Sequence, residues 1–327
     1  MDDLELLREL RADVPAPSAE RLRVVRARAL RRRARLRAVP FLLTAATVTV
    51  AAVLVGAVAM TGAGSPPAGP TATLRTKTVS AQAVLQQAAW VVQRRRPAAA
   101  PRPEQWIYRK RVVRQPGGSD KVEEYWTRYD GLRQAHRQGQ GPIETRTYTP
   151  DPADDDLTPQ EFAAKLAALP TDPRKLLAQV KADPLWAAEP EGRPAEPADV
   201  RAFRVLSVYL DQEVPLPPEL HAAIFRAMAE IPGVRVDAGV RDAAGRAGIG
   251  IAYEPGPAAC PRCYNGRGLL IERSYIILDP TTYAYLGRHV VQFQDYIVDG
   301  EVAVPRGADY LSAELARGIV DRPALPR

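Results

Sequence analysis

The chain has 327 residues, 46% of them hydrophobic, with 45 Lys and Arg against 38 Asp and Glu, 31 prolines and two cysteines. The apolar fraction excludes a globally disordered chain, and the length allows one large or two small domains. The net charge of +7 invites a nucleic-acid role, but residues 1–38 hold eleven arginines and six acidic residues, a net +5 that leaves only +2 for the rest. The basic excess belongs to a tail, so the remainder is not expected to bind nucleic acid.

Residues 2–12 place Leu4, Leu7 and Leu10 on one helical face with Leu6 beside them. Acidic residues lead and arginines follow, as the helix dipole favours. A second helix is predicted from Ala19 to Arg37, after the break at Pro15 and Pro17. This tail is too short to bury a core, which leaves it to lie on a membrane or dock on a cytoplasmic partner.

Val39 to Met60 is a run of 22 residues without a charge. As a helix it spans about 33 Å, enough for a hydrocarbon core of about 30 Å. A buried core helix would show a polar face, and a signal peptide would carry a shorter apolar region closer to residue 1. A single transmembrane helix over 39–60 fits better. Its upstream flank carries Arg31, Arg32, Arg33, Arg35 and Arg37, and no charge follows until Arg75. The positive-inside rule then predicts a plasma-membrane protein with residues 1–38 as a basic cytoplasmic tail and the C-terminal part extracytoplasmic. The same arginines are predicted to sit on anionic headgroups, which makes membrane lipids a partner.

Residues 61–75 read as a flexible linker, rich in Gly, Pro, Ser and Thr over 61–73. The domain at 76–327 begins with a helical pattern through Val79, Ala83, Val84, Ala88 and Val91, with Ser80 as its cap, ending at Arg94–Arg96. From Gln105 the period changes to that of strands: QWIYRKRVVRQ and KVEEYWTRYDG flank a Gly-Gly turn, with LRQAHRQG and ETRTYT as two further short strands. Trp106, Tyr108, Tyr125, Trp126 and Tyr129 concentrate here. They read first as sheet core and cross-strand pairs, and in functional terms as the candidate wall of an apolar ligand cavity.

Thr158-Pro-Gln-Glu161 is a capping box with Pro at the first helical position, and Asp172-Pro173 starts another helix the same way. Helices are also predicted at Ala198–Leu210 and Pro218–Ala229, the last with Leu220, Ile224, Ala227 and Met228 on one face. Strands return in 233–254 around Asp242-Ala-Ala-Gly245, then in 269–279 and 283–293, joined by Asp279-Pro-Thr-Thr282. Strands, then helices, then strands give an α+β domain with a curved antiparallel sheet and packed helices.

Several short stretches carry a resemblance. They are Leu6 to Pro15, the arginine run with its single span, Leu169-Pro-Thr-Asp-Pro173, Pro217-Pro-Glu-Leu220, Ile231-Pro-Gly-Val234, Asp242-Ala-Ala-Gly-Arg246, and Leu278-Asp-Pro-Thr-Thr282 with Leu286-Gly-Arg288. Together they resemble a family of actinobacterial single-pass membrane proteins of unassigned activity, whose genes often lie beside those for extracytoplasmic-function sigma factors. The ectodomain layout is more distantly similar to LolA-like and RseB-like lipoprotein-carrier half-barrels. The resemblance implies a sigma factor or other regulator as partner of the tail, and a lipid or peptide as ligand of the ectodomain. One departure is that the tail has no Cys and no His, so it lacks the zinc module of zinc-type anti-sigma domains.

No catalytic motif accompanies these features. His136, His221 and His289 stand at no spacing that links them to a nucleophile or a ligand pair, and each reads as a surface or satisfied histidine. The acidic run Asp151 to Asp156 lacks the ligand spacing of a calcium loop and reads as solvated. No metal or cofactor is expected. Cys260-Pro-Arg-Cys263 would need two further ligands for zinc, and a redox pair wants a helix N-terminus. Pro261 at the second position of a tight turn favours instead a Cys260–Cys263 disulfide in a long hairpin loop between Tyr253 and Leu269, in a compartment where disulfides persist. The favoured expectation is a non-enzymatic membrane-anchored envelope protein that binds a lipid, peptide or protein; the alternative is an extracytoplasmic thiol–disulfide oxidoreductase using Cys260 and Cys263.

Overall fold

The computed structural model describes residues 80–116, 118–148, 157–183, 186, 196–298 and 301–323. The tail, the span at 39–60, the linker, the cluster Arg31 to Arg37 and the acidic run 151–156 lie outside them. Among the described residues no helix is long and apolar enough to cross a membrane.

The helices are α1 (Ala81–Gln93), α2 (Pro159–Ala167), α3 (Pro173–Ala182), α4 (Ala198–Leu210) and α5 (Pro218–Ala229). The strands are β1 (Trp106–Arg114), β2 (Lys121–Arg128), β3 (Arg133–Gln138), β4 (Glu144–Thr147), β5 (Val234–Arg241), β6 (Ala247–Tyr253), β7 (Glu272–Leu278), β8 (Tyr285–Gln292), β9 (Tyr296–Val298), β10 (Glu301–Val304) and β11 (Asp309–Val320). Nine strands form one antiparallel sheet in the order β4-β3-β2-β1-β11-β8-β7-β6-β5, and β9 and β10 form a separate hairpin. The domain is α+β.

Capping chemistry starts the helices. The Glu161 N–H donates to Thr158 Oγ1 at 3.2 Å and the Thr158 N–H donates to Glu161 Oε2 at 2.8 Å, a closed capping box. Asp172 Oδ1 accepts from the Lys175 N–H at 2.9 Å. Pro159, Pro173 and Pro218 occupy first-turn positions, where a missing N–H breaks no helical bond. The helices bury their apolar faces on one side of the sheet: Leu85, Leu176, Leu206 and Ile224 share a core with Ile107, Val236, Ile251 and Ile276.

The centre of the sheet is β11, which the sequence pattern does not mark. The strand periodicity recognised in the sequence ends at Phe293, and DYLSAELARGIV mixes good helix formers with β-branched residues. It is a strand because both sides are taken. Trp106 to Arg114 pair with Val320 to Leu311, and Asp309 to Ala313 pair with Val291 to Gly287. Pairing on two sides overrides local propensity. The strand joins β1–β4 to β5–β8, so the two stretches of strands in the sequence make one sheet.

Register shifts at Lys110/Arg111, Ala238/Val240 and Ile277/Leu278 bend the strands. The β5–β6 turn reaches back to the middle of the sheet: the Ala243 N–H donates to Ser312 O at 3.5 Å, and Arg114 Nη2 donates to Ala243 O at 3.2 Å. An edge hairpin can touch the central strand only if the sheet curls. Asp242 holds this turn, accepting from the Ala244 and Arg246 N–H groups at 2.9 and 3.0 Å. Arg246 then donates to Leu286 O at 3.2 Å and Glu314 O at 2.7 Å. Gly287 lies where β8 meets β11 most closely, and a Cβ there would stand 2.0 Å from Ser312 O. We expect Gly287→Ala to lose more than about 2 kcal/mol of stability by denaturant unfolding, or to fail to accumulate. Gly266→Ala, whose added Cβ meets nothing within 4 Å, should unfold at the same denaturant concentration as the parent or slightly above it.

Candidate functional site

Cys260 and Cys263 are disulfide-linked, with Cα atoms 5.4 Å apart, in the connection from β6 to β7. They bracket a single 3-10 turn, Pro261–Cys263, in which the Cys263 N–H donates to Cys260 O at 3.0 Å. Cys260 is fully buried. A three-residue turn has no extended macrodipole to stabilise a thiolate, and a buried sulfur is closed to an incoming disulfide.

The five strand aromatics do not share one wall. Side chains alternate between faces, so neighbours such as Tyr125 and Trp126 point apart. Trp106, Tyr108 and Trp126 pack with Ala135 on the face away from the helices, and Tyr108 stacks on Trp126 at 5.1 Å between centroids. Tyr129 belongs to the helix-side core, and Tyr125 stands on the helix-bearing face beside Arg111. Wide separation of the groups on two faces corrects the expectation of a single cavity wall. The group on the far face is closed: the Tyr108 O–H donates to Glu124 Oε2 at 2.6 Å and Arg137 Nε donates to Glu124 Oε1 at 3.1 Å. Burial opposes the charge on Glu124, but these donors hold its carboxyl below the usual range.

The helix-bearing face is different. Its apolar part lies under the helices; its other part is polar. Ile107 faces the helical core, so Arg109 and Arg111 share its face on β1. Cross-strand pairing carries that face to Glu314 and Ser312 on β11, and then to Arg288 on β8. Arg109 is the centre: it donates to Asp211 O at 3.0 Å, to Asp211 Oδ1 at 2.8 Å, and through Nε to Glu314 Oε2 at 3.0 Å. Asp211 is the C-cap of α4, so the guanidinium also meets the negative end of that helix. Arg111 and Arg288 are less engaged. Arg111 lies 3.9 Å from Glu123 Oε2, and Arg288 lies 3.9 Å from Asp211 Oδ2.

The electrostatics follow. Burial works against the Asp211 charge, and Arg109, Arg288 and Arg111 outweigh it, holding the carboxyl below its usual range. Burial, with Glu123 nearby, pushes the Tyr125 hydroxyl up to about 12, and burial drives Tyr285 up as well. Both tyrosines remain neutral near pH 7. Glu272, at the β7 end of the same face, is pushed up by burial.

Four buried polar atoms of this face have no hydrogen-bond partner among the described residues: Arg111 Nε, Arg288 Nε, Gln292 Oε1 and Glu314 Oε1. Sequence reasoning did not find this cluster. Its one visible signal was a pair of arginines at i, i+2 in a strand that otherwise turns Ile107 and Val113 to that face. The histidines are elsewhere or inert. His221 stacks on Phe225 at 5.0 Å, and burial pushes it down to about 3. His136 and His289 approach Glu144 and Asp309 at 3.6 and 3.2 Å. Among the described residues no three His, Cys, Asp or Glu are grouped to hold a metal ion. No family model, no curated protein and no solved structure matches the chain.

Three outcomes are expected. Removing Asp211 leaves Arg109 buried and half-paired, so Asp211→Asn should cost about 3 kcal/mol at pH 7. A carboxyl held low when folded stabilises above its unfolded pKa of about 4 and loses that contribution as pH falls through the folded value. The gap between parent and variant in denaturant unfolding should therefore narrow below about pH 4. The double variant Cys260→Ser/Cys263→Ser should lose no more than about 2 kcal/mol, because the closed loop is short.

Proposed function

We propose that the chain is a non-enzymatic, membrane-anchored envelope protein whose extracytoplasmic domain binds a ligand on the polar part of its helix-bearing sheet face. The observation that carries the reading is the set of buried, unpartnered polar atoms on Arg111, Arg288, Gln292 and Glu314. Buried polar groups are nearly always satisfied, so four unsatisfied on one polar face, against six among the described residues spread over the far face and the helical layer, favour a bound molecule there that supplies partners. The uncharged run at 39–60 and the arginines before it support the anchor and its orientation. The resemblance of the short motifs supports a sigma factor or other regulator as partner of residues 1–38, with a lipid or peptide outside. A thiol–disulfide oxidoreductase is disfavoured, since Cys260 is fully buried.

The test is native mass spectrometry of the full-length protein purified from its own membrane in mild detergent. A non-covalent adduct that denaturation releases is expected, and its absence at every detergent tried would contradict the binding role. Topology is checked with protease added to right-side-out vesicles: the C-terminal domain should be digested, and protection of that domain would reverse the orientation.

A further inference from the structure

The polar face names a ligand chemistry. We propose that Arg111 and Arg288 form an oxyanion subsite, holding the carboxylate or phosphate group of a small-molecule ligand over Ser312 on the helix-bearing face of the sheet. This deepens the binding role above and rests on it.

Three observations converge. First, the two arginines come from strands on either side of β11, Arg111 on β1 opposite Glu314 and Arg288 on β8 opposite Ser312, so their Cα atoms stand about 12 Å apart by strand spacing and register. Both act on Tyr310 and on Asp211, which places their charges over one patch rather than two. Second, although Tyr125 lies beside Arg111 and Tyr285 beside Arg288, both Nε–H donors are buried without acceptors, and the ion pairs stand at 3.9 Å, beyond hydrogen-bond range. Guanidinium groups only donate, so the missing partner must be an acceptor, and planar oxyanions match the fork. Third, the carboxylates in contact are fewer than the guanidiniums. Arg109, Arg111, Arg288 and Arg317 make ion pairs with Asp211, Glu123 and Glu314, four cations on three anions. Glu213 acts on Arg109 through space without an ion-pair contact. Ser312 Oγ accepts from the Arg288 backbone N–H at 3.1 Å and keeps its own proton to donate.

The other charged groups of the sheet serve as contrast. On the far face both Glu124 oxygens are taken, by Tyr108 and Arg137. There Glu254 takes Arg235 at 2.7 Å and also Arg273, while the Tyr275 O–H donates to Asp237 at 2.8 Å. The carboxylates of those clusters are answered and among their guanidiniums only Arg235 Nε lacks an acceptor, whereas around Arg111 and Arg288 both Nε atoms lack one.

The experiment is thermal unfolding of the full-length protein titrated with sodium phosphate, sodium acetate or sodium chloride at matched ionic strength. Phosphate or acetate should raise the melting temperature in a saturable way that chloride does not reproduce. Phosphate alone assigns a phosphate ligand, and acetate alone a carboxylate. Arg111→Gln and Arg288→Gln should each weaken the binding about tenfold or more, the loss of one charge-assisted hydrogen bond. Arg137→Gln, on the far face, should keep it. If Arg288→Gln does not fold, the partly exposed Arg111→Gln decides. Full retention of the shift in Arg111→Gln, or no shift beyond chloride in the parent, overturns the subsite. If native mass spectrometry still finds a releasable ligand in that case, the binding role stands and only its oxyanion chemistry falls.

Discussion

Arg109 is the residue around which the layers are arranged. It comes from β1, early in the domain, yet its guanidinium is satisfied by Asp211 at the end of α4 and by Glu314 on β11. A buried cation left without these partners would cost several kcal/mol, so the fold must bring all three together. That requirement sets the helical layer over the sheet with the C-terminus of α4 above the central strands. It also sets β11 beside β1, with the bulge at Lys110/Arg111 keeping Glu314 on the same face as Arg109. Two residues further along β1, Arg111 is carried to the same face but past the carboxylates that Arg109 has taken.

Much of the local structure was legible in the sequence. The capping box at Thr158, the cap at Asp172 and the apolar face of α5 are short-range chemistry, and each occurs where the pattern places it. The short motifs behind the resemblance have local physical roles. Asp242 to Arg246 is a turn that clamps the bulges of β8 and β11. Asp279 folds its own turn by accepting from the Thr281 and Thr282 N–H groups at 3.0 and 2.6 Å. Gly287 is the one residue that lets β11 approach.

What was not legible depends on distance along the chain. β11 has no strand signature of its own, and its conformation comes from partners on both sides. The Arg109 cluster joins residues 102 and 205 positions apart, which no local pattern announces. The aromatic group is an instructive middle case. Tyr125 and Trp126 are adjacent in a strand, so a single wall containing both was already excluded by the period of two. The cross-strand pair Tyr108–Trp126 forms, and the pleat carries Tyr125 to the other face.

The two faces of the sheet therefore have different tasks. The far face pairs its carboxylates and packs its indoles, leaving Arg235 Nε, His289 Nδ1 and Trp126 Nε1 without partners among the described residues. The helix-bearing face is apolar under the helices and charged beyond them, with the Nε–H donors of Arg111 and Arg288 lacking acceptors among the described residues. Buried ion pairs are weak sources of stability, and half-answered ones weaker still. The binding role proposed above would account for their presence at the centre of the sheet. The most direct test is an experimental density map of the protein purified from its native source. The account predicts density for a bound molecule with an anionic group between Arg111 and Arg288, above Ser312. A map showing only water there, with both guanidiniums hydrogen-bonded to Glu123 and Asp211, would contradict it.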